Sequence, residues 1–80
     1  MNAGLTVEND AICLQLRNYH VIPLNERLDR SELERAISRG VTAYPDLRRN
    51  GFYEIELDDR RVYVHVHHDL RTVYLVAYLG

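Results

Sequence analysis

Two histidines one residue apart, His65 and His67, stand in a stretch whose alternate positions also carry Glu54, Glu56, Tyr63, Tyr74 and Tyr78. Imidazole can trade protons near neutral pH, carboxylates and phenols can join it as acids or bases, and a His-x-His pair on a strand can offer two nitrogens to a metal ion. In an extended chain successive side chains point to opposite faces, so residues two apart share a surface. Four kinds of behaviour suit such a surface. It can be a solvated sheet face, a docking surface for another protein or a second copy, a metal site completed by Glu54 or Glu56, or an acid–base centre. The last would use His65, His67, Glu54 and Tyr63, for example in metal-independent RNA cleavage.

The elements that position these residues follow from the same alternation. Residues 52–80 read FYEIELDDRRVYVHVHHDLRTVYLVAYLG, three runs of period two separated by two polar turns. This specifies a three-stranded antiparallel meander over about 52–79. Ile55, Leu57, Val62, Val64, Val66, Val73, Leu75, Ala77 and Leu79 fall on an aliphatic side, and the polar and aromatic residues fall on the other. A turn at Asp58-Asp59 or Asp59-Arg60 keeps core residues opposite core residues in the first hairpin. Pairing Val66 with Val73 in the second sets His65 opposite Tyr74 and Tyr63 opposite Val76. A slip of one residue would turn a whole strand over, so the register is well specified.

The aliphatic side needs a cover, and a helix over about 30–39 supplies it. Ser31 and Glu34 have the spacing of a capping box, with Asp29 and Glu32 as an alternative start two residues earlier. Leu33, Ala36 and Ile37 make an apolar stripe at helical spacing. Gly40 suits the left-handed position that ends a helix, with Val41 as its hydrophobic contact. Asp46 to Arg49 are expected to add one more turn before Asn50-Gly51 breaks it. At the N-terminus, residues 5–8 and 11–16 flank the turn-prone pair Asn9-Asp10, which points to a short strand or hairpin, with a helix as the rival reading for 11–17. Residues 19–24 are extended, because Pro23 biases Ile22 away from the helical region. The expected fold is α+β: a short N-terminal strand or hairpin, one main helix, and the meander packed on it, all in one domain spanning 1–80.

Composition narrows the function. The chain has 80 residues and a net charge of −2, which argues against a general phosphate-binding surface. All ten basic residues are arginine. Cys13 is the single cysteine, so no disulfide forms within one chain; in a predicted strand it reads as a small buried hydrophobe. A lone thiol and an N-terminus without the basic-then-apolar order of a signal peptide point to the cytoplasm. No apolar run approaches a membrane span. Phosphate-binding glycine loops, C-x-x-C pairs and nucleophile elbows are all absent. No catalytic residue, metal ligand or cofactor is therefore assigned.

Two resemblances add to this reading. A helix followed by Gly51-x-Tyr53-x-Ile55 and then Arg61-Val62-Tyr63-Val64 resembles the RelE/ParE family of small toxins over about the last thirty residues. That resemblance implies an endoribonuclease or a degenerate relative, and it stands as the alternative. By size, acidity, compactness and lack of catalytic motif, the chain resembles the small inhibitor proteins of phages of the anti-CRISPR kind. That resemblance implies a non-enzymatic protein acting by stoichiometric contact with a nucleic-acid-binding host-defence complex, whose DNA binding it blocks. Carboxylates at Glu54, Glu56, Asp58, Asp59 and Asp69 would then imitate phosphates toward a basic groove. The expected partner-binding set is Glu54, Glu56, Asp58, Asp59, Tyr63, His65, His67, Tyr74 and Tyr78. The expected partner is a protein, not nucleic acid or membrane, and the chain is a monomer or homodimer.

Overall fold

The computed structural model describes residues 11–24 and 30–79. Their elements are β1 (Ile12–Leu14), β2 (His20–Pro23), helix α1 (Arg30–Arg39), β3 (Val41–Pro45), β4 (Phe52–Glu56), β5 (Arg61–His67), a short 3-10 turn (His68–Leu70) and β6 (Thr72–Leu79). The strands form one six-stranded sheet in the order β1-β3-β4-β5-β6-β2. All pairs are antiparallel except β2, which runs parallel to β6.

The expectation of one main helix packed on a three-stranded meander is thereby corrected. The meander β4-β5-β6 is present, but it is the middle of a mixed sheet, and the described chain is mostly strand. The sequence reading placed Val41 as a cap contact and Asp46 to Arg49 as a helical turn. In fact Gly40, at φ +106°, ends the helix and the chain enters β3 at once. Residues 46–51 then make the turn of a β3–β4 hairpin, with Asp46 N–H donating to Phe52 O at 2.8 Å. Residues 19–24, read only as extended, hold a true strand. Residues 5–8, read as the first arm of a hairpin, lie outside the described residues, and β1 pairs with β3.

Helix α1 lies on the aliphatic side of this wider sheet. It buries Leu33, Ala36 and Ile37, of which Leu33 and Ile37 join a cluster with Leu14, Val21, Ala43, Ile55, Val62, Val64, Val66, Val73 and Leu75. Burying one aliphatic side chain of this size is worth roughly 1.5–3 kcal/mol, so the cluster is the main stabilising feature of a small domain. The described helix starts at Arg30, with Ser31 in its first turn; Asp29, the alternative start, lies outside the described residues. The last carbonyls of a helix lack partners within it. Here Leu16 N–H donates to Ile37 O at 2.8 Å, Gln15 Nε2 donates to Ser38 O at 3.2 Å, and Gly40 N–H donates to Ala36 O at 3.0 Å.

The register of the meander decides what faces where. In β4–β5, Ile55 pairs with Val62 and Glu54 with Tyr63, around a tight turn at Asp58-Asp59 closed by Leu57 N–H to Arg60 O at 2.8 Å. In β5–β6, Val66 pairs with Val73, His65 with Tyr74 and Val64 with Leu75. The ladder then slips: Tyr63 pairs with Ala77, not Val76, and Val62 pairs with Tyr78. A bulge adds one residue to one strand and reverses the parity beyond it. Tyr78 therefore turns to the aliphatic side, where it packs on the core cluster, and Ala77 joins the opposite face.

Among the described residues, β2 is the outermost strand on the β6 side of the sheet. His20 N–H and Leu24 N–H donate inward, to Arg71 O and Leu75 O at 2.9 and 3.0 Å. In a parallel ladder alternate residues face the partner, so Val21 and Pro23 turn their backbone away from β6; Val21 is nonetheless fully buried, and Pro23 has no N–H to offer.

Val64 and Leu75 are fully buried neighbours beneath the helix stripe. Val64→Asp should abolish cooperative thermal unfolding, because an unpaired buried charge costs about as much as the whole stability of such a domain. Leu75→Ala should remain folded but lose about 2–5 kcal/mol in denaturant titration. A Val64→Asp protein with native-like circular dichroism would refute this packing.

Candidate functional site

The face turned away from α1 is built in rungs. Tyr44, Glu54, Tyr63 and Ala77 lie side by side across β3, β4, β5 and β6. Phe52, His65, Tyr74 and Ile22 form the next rung across β4, β5, β6 and β2. His67, Thr72 and His20 form the last across β5, β6 and β2. Among the described residues, no helix or strand packs over this face; only the 46–51 turn reaches across one margin.

The rings here are organised by one another. Phe52 and His65 stack with centroids 4.2 Å apart and planes within 3°. Tyr63 flanks Phe52 at 5.6 Å and Tyr74 flanks His65 at 6.0 Å, both in stacked arrangements. The Arg49 guanidinium sits 5.1 Å from the Phe52 ring centre. Cross-strand aromatic contacts of this sort stabilise a sheet and fix its side-chain rotamers. Rings that stack on each other spend their flat faces within the protein and show mostly edges to the outside.

The carboxylates are held from within. Arg61 Nη1 donates to Glu54 Oε1 at 3.3 Å and Nη2 donates to Glu56 Oε2 at 3.1 Å, while the same guanidinium lies 5.1 Å from the Tyr44 ring centre. Tyr44 O–H donates to Glu56 Oε2 at 2.9 Å. Tyr63 O–H donates to Asp46 Oδ2, and Arg48 N–H donates to Asp46 Oδ1 at 2.9 Å. The Tyr63 bond, joined by the Arg48 amide, holds the Asp46 carboxyl below its ordinary range. The Asp46 carboxylate in turn raises the Tyr63 phenol, and the Glu56 carboxylate raises that of Tyr44.

Of the nine residues singled out from the sequence, the structure brings together Glu54, Glu56, Tyr63, His65, His67 and Tyr74. Tyr78 is corrected to the core side by the bulge. Asp58 and Asp59 sit in the exposed β4–β5 turn, Asp59 paired with Arg60 at 3.3 Å; Asp69 lies at the far end of β5 in the 3-10 turn. The five acids proposed as phosphate mimics thus form no single strip, and two of them, Glu54 and Glu56, share the one guanidinium of Arg61. Sequence reasoning missed Phe52, Arg61, Tyr44, Asp46 and Arg49. Phe52 and Arg61 were within reach, since each stands two residues before a named member of the face. Tyr44 and Asp46 required the unread strand β3.

The residues that carried the toxin resemblance have a packing explanation. Tyr53 and Ile55 face the core, as do Val62 and Val64, and Gly51 adopts φ +88° at the turn before them. Among the described residues, no group of three His, Cys, Asp or Glu is placed to hold a metal ion, and no helix is long and apolar enough to cross a membrane. Cys13, expected to be buried, is exposed. No family model, curated protein or solved structure matches the chain.

The Tyr63–Asp46 pair has a pH signature. A lowered carboxyl stabilises the fold above its ordinary pKa and ceases to as pH falls through the lowered value. A raised phenol stabilises below its ordinary pKa and ceases to as pH climbs through the raised value. The pair should persist across the whole interval between. In an alkaline ultraviolet titration Tyr63 should ionise later than an ordinary tyrosine, and Asp46→Asn should shift that step downward; Tyr63→Phe assigns the step. An unchanged titration in Asp46→Asn would contradict the contact.

Proposed function

We propose that this chain is a small non-enzymatic binding protein that acts by occupying a partner protein's surface with the open face of its sheet. The observation that carries the reading is the pre-set platform of Phe52, His65, Tyr63 and Tyr74, rimmed by the Arg61–Glu54–Glu56–Tyr44 and Tyr63–Asp46 contacts. Aromatic residues enclosed by a polar rim are the usual composition of an interface centre. Side chains already held in place lose little further freedom on docking, which is where much affinity is otherwise lost. Because ring faces are consumed by mutual stacking, the platform suits contact with another protein better than insertion between bases, whose binding relies on open ring faces. An internally satisfied charge rim favours a partner surface with an apolar centre and polar margin over a strongly basic groove.

The inhibitor role follows as an extension of this reading: a stoichiometric complex, no turnover, and obstruction of a nucleic-acid-binding partner by bulk rather than by imitation of phosphates.

Tyr74→Ala and Phe52→Ala should leave the fold intact and weaken partner binding by about 2 kcal/mol each, roughly thirtyfold. Tyr78→Ala, on the core side, should lower the unfolding midpoint and leave binding by the folded fraction unchanged. The measurement is binding kinetics to the protein captured from host lysate, with sedimentation to detect self-association. If Tyr74→Ala and Phe52→Ala bind and self-associate like the parent, the sheet face is solvated surface and the proposal fails.

A further inference from the structure

His20 is far in sequence from the chain's other three histidines, His65, His67 and His68, yet all four gather at one end of the sheet. His67 lies beside Thr72 and Thr72 beside His20, His65 is one rung away, and His68 begins the 3-10 turn. Arg71 closes that turn and Arg48 and Arg49 stand in the neighbouring 46–51 turn. The acids at this end are Asp46, already engaged by Tyr63 and the Arg48 amide, and the exposed Asp69. The acidic turn Asp58-Asp59 is at the opposite end of β5. An overall acidic chain therefore carries a basic pole.

A groove opens at this pole, lined by Asn50, Gly51, Tyr53, His65, Val66, His67, His68 and Asp69. Gly51, at φ +88°, borders it, and a β-carbon there would meet Val66 O at 3.4 Å and His65 Nε2 at 3.6 Å, both ordinary contacts. His68 is already engaged, its Nδ1 hydrogen-bonded with the Tyr19 hydroxyl at 2.6 Å. His67 is not. Its Nδ1 is out of reach of solvent and meets no hydrogen-bonding group among the described residues. Buried polar atoms are nearly always partnered, and an exception calls for an explanation.

We propose that this groove binds a phosphate-type oxyanion, contacted by His67 and His65. The site goes beyond the docking face and does not depend on it. A half-turn of the His67 ring about its Cβ–Cγ bond exchanges Nδ1 with Cδ2, so that a ligand oxygen supplies the missing partner. Among the described residues no three donors converge to hold a metal ion, and with three imidazoles, Asn50 and Asp69 beside Tyr53 and Val66 the lining suits a polar guest better than an apolar one. Arg48, Arg49 and Arg71 supply the surrounding positive potential.

The test is a titration with inorganic phosphate at constant ionic strength, followed by long-range ¹H–¹⁵N spectra of the imidazole rings, with chloride as control. Saturable shifts at His67 and His65, larger than at His20 and His68, with a change in the His67 tautomer, are expected from phosphate and not from chloride. His67→Phe should lose the effect, and His67→Asn, whose side-chain amide reaches the Nδ1 position, should keep it. Phenyl phosphate binding more tightly than inorganic phosphate would assign the ligand to a phosphorylated molecule; the reverse would assign it to the free ion. No saturable shift, equal shifts at all four histidines, or full binding by a folded His67→Phe protein would overturn the site. Should His67→Phe fail to fold, the parent titration decides alone.

Discussion

The aliphatic side of the β4-β5-β6 ribbon must leave water, and among the described residues a ten-residue helix is the one element that can cover it. The rest of the molecule depends on that constraint. A single short helix cannot shield two sides of a sheet, so one face is closed and the other stays open. The segment before β2 ties itself to the helix end through Gln15 and Leu16, which fixes where the cover sits. β1 and β2 then widen the sheet to either side, adding Leu14 and Val21 to the buried cluster.

The open face solves the opposite problem. Half-buried polar groups on a sheet lose rigidity if left to water and cost free energy if buried without partners. Here the sheet pairs them across strands. Arg61 joins two carboxylates on the neighbouring strand, Tyr63 reaches the β3–β4 turn, and the rings between lean on one another. Individually such exposed ion pairs contribute little. Their combined effect is geometric: they hold an array of side chains in one arrangement.

How much of this was legible in the sequence depended on how strongly each segment alternates. The meander was, because Val62-Tyr63-Val64-His65-Val66-His67 switches chemistry at every residue, and so was the helix, from Leu33, Ala36, Ile37 and Gly40. The bulge was not. Val76, Ala77, Tyr78 and Leu79 are all apolar, so nothing in the sequence marks where parity reverses, and Tyr78 was placed on the wrong side. Strand β3 is five residues ending in proline, too short for alternation to outweigh the helix signals beside it. Strand β2 gains its identity only from a parallel partner some fifty residues away in the chain, and only Val21 of it is fully buried. The six members of the site that the sequence located are those on β4, β5 and the first half of β6; the anchors supplied by Tyr44, Asp46 and Arg49 come from the hairpin that it did not reveal.

The proline at the end of β2 has a bearing on life at high concentration. An open sheet edge is a template on which further chains can pair, and fibrous aggregates grow by that route. Along this border the positions whose backbone turns away from β6 are Val21, which is fully buried and so has no accessible amide proton, and Pro23, which has none at all. A strand arriving here would find neither amide proton within reach and a proline ring in the way. A protein whose exposed aromatic face invites contact is thus spared, on this side, from contact that never stops.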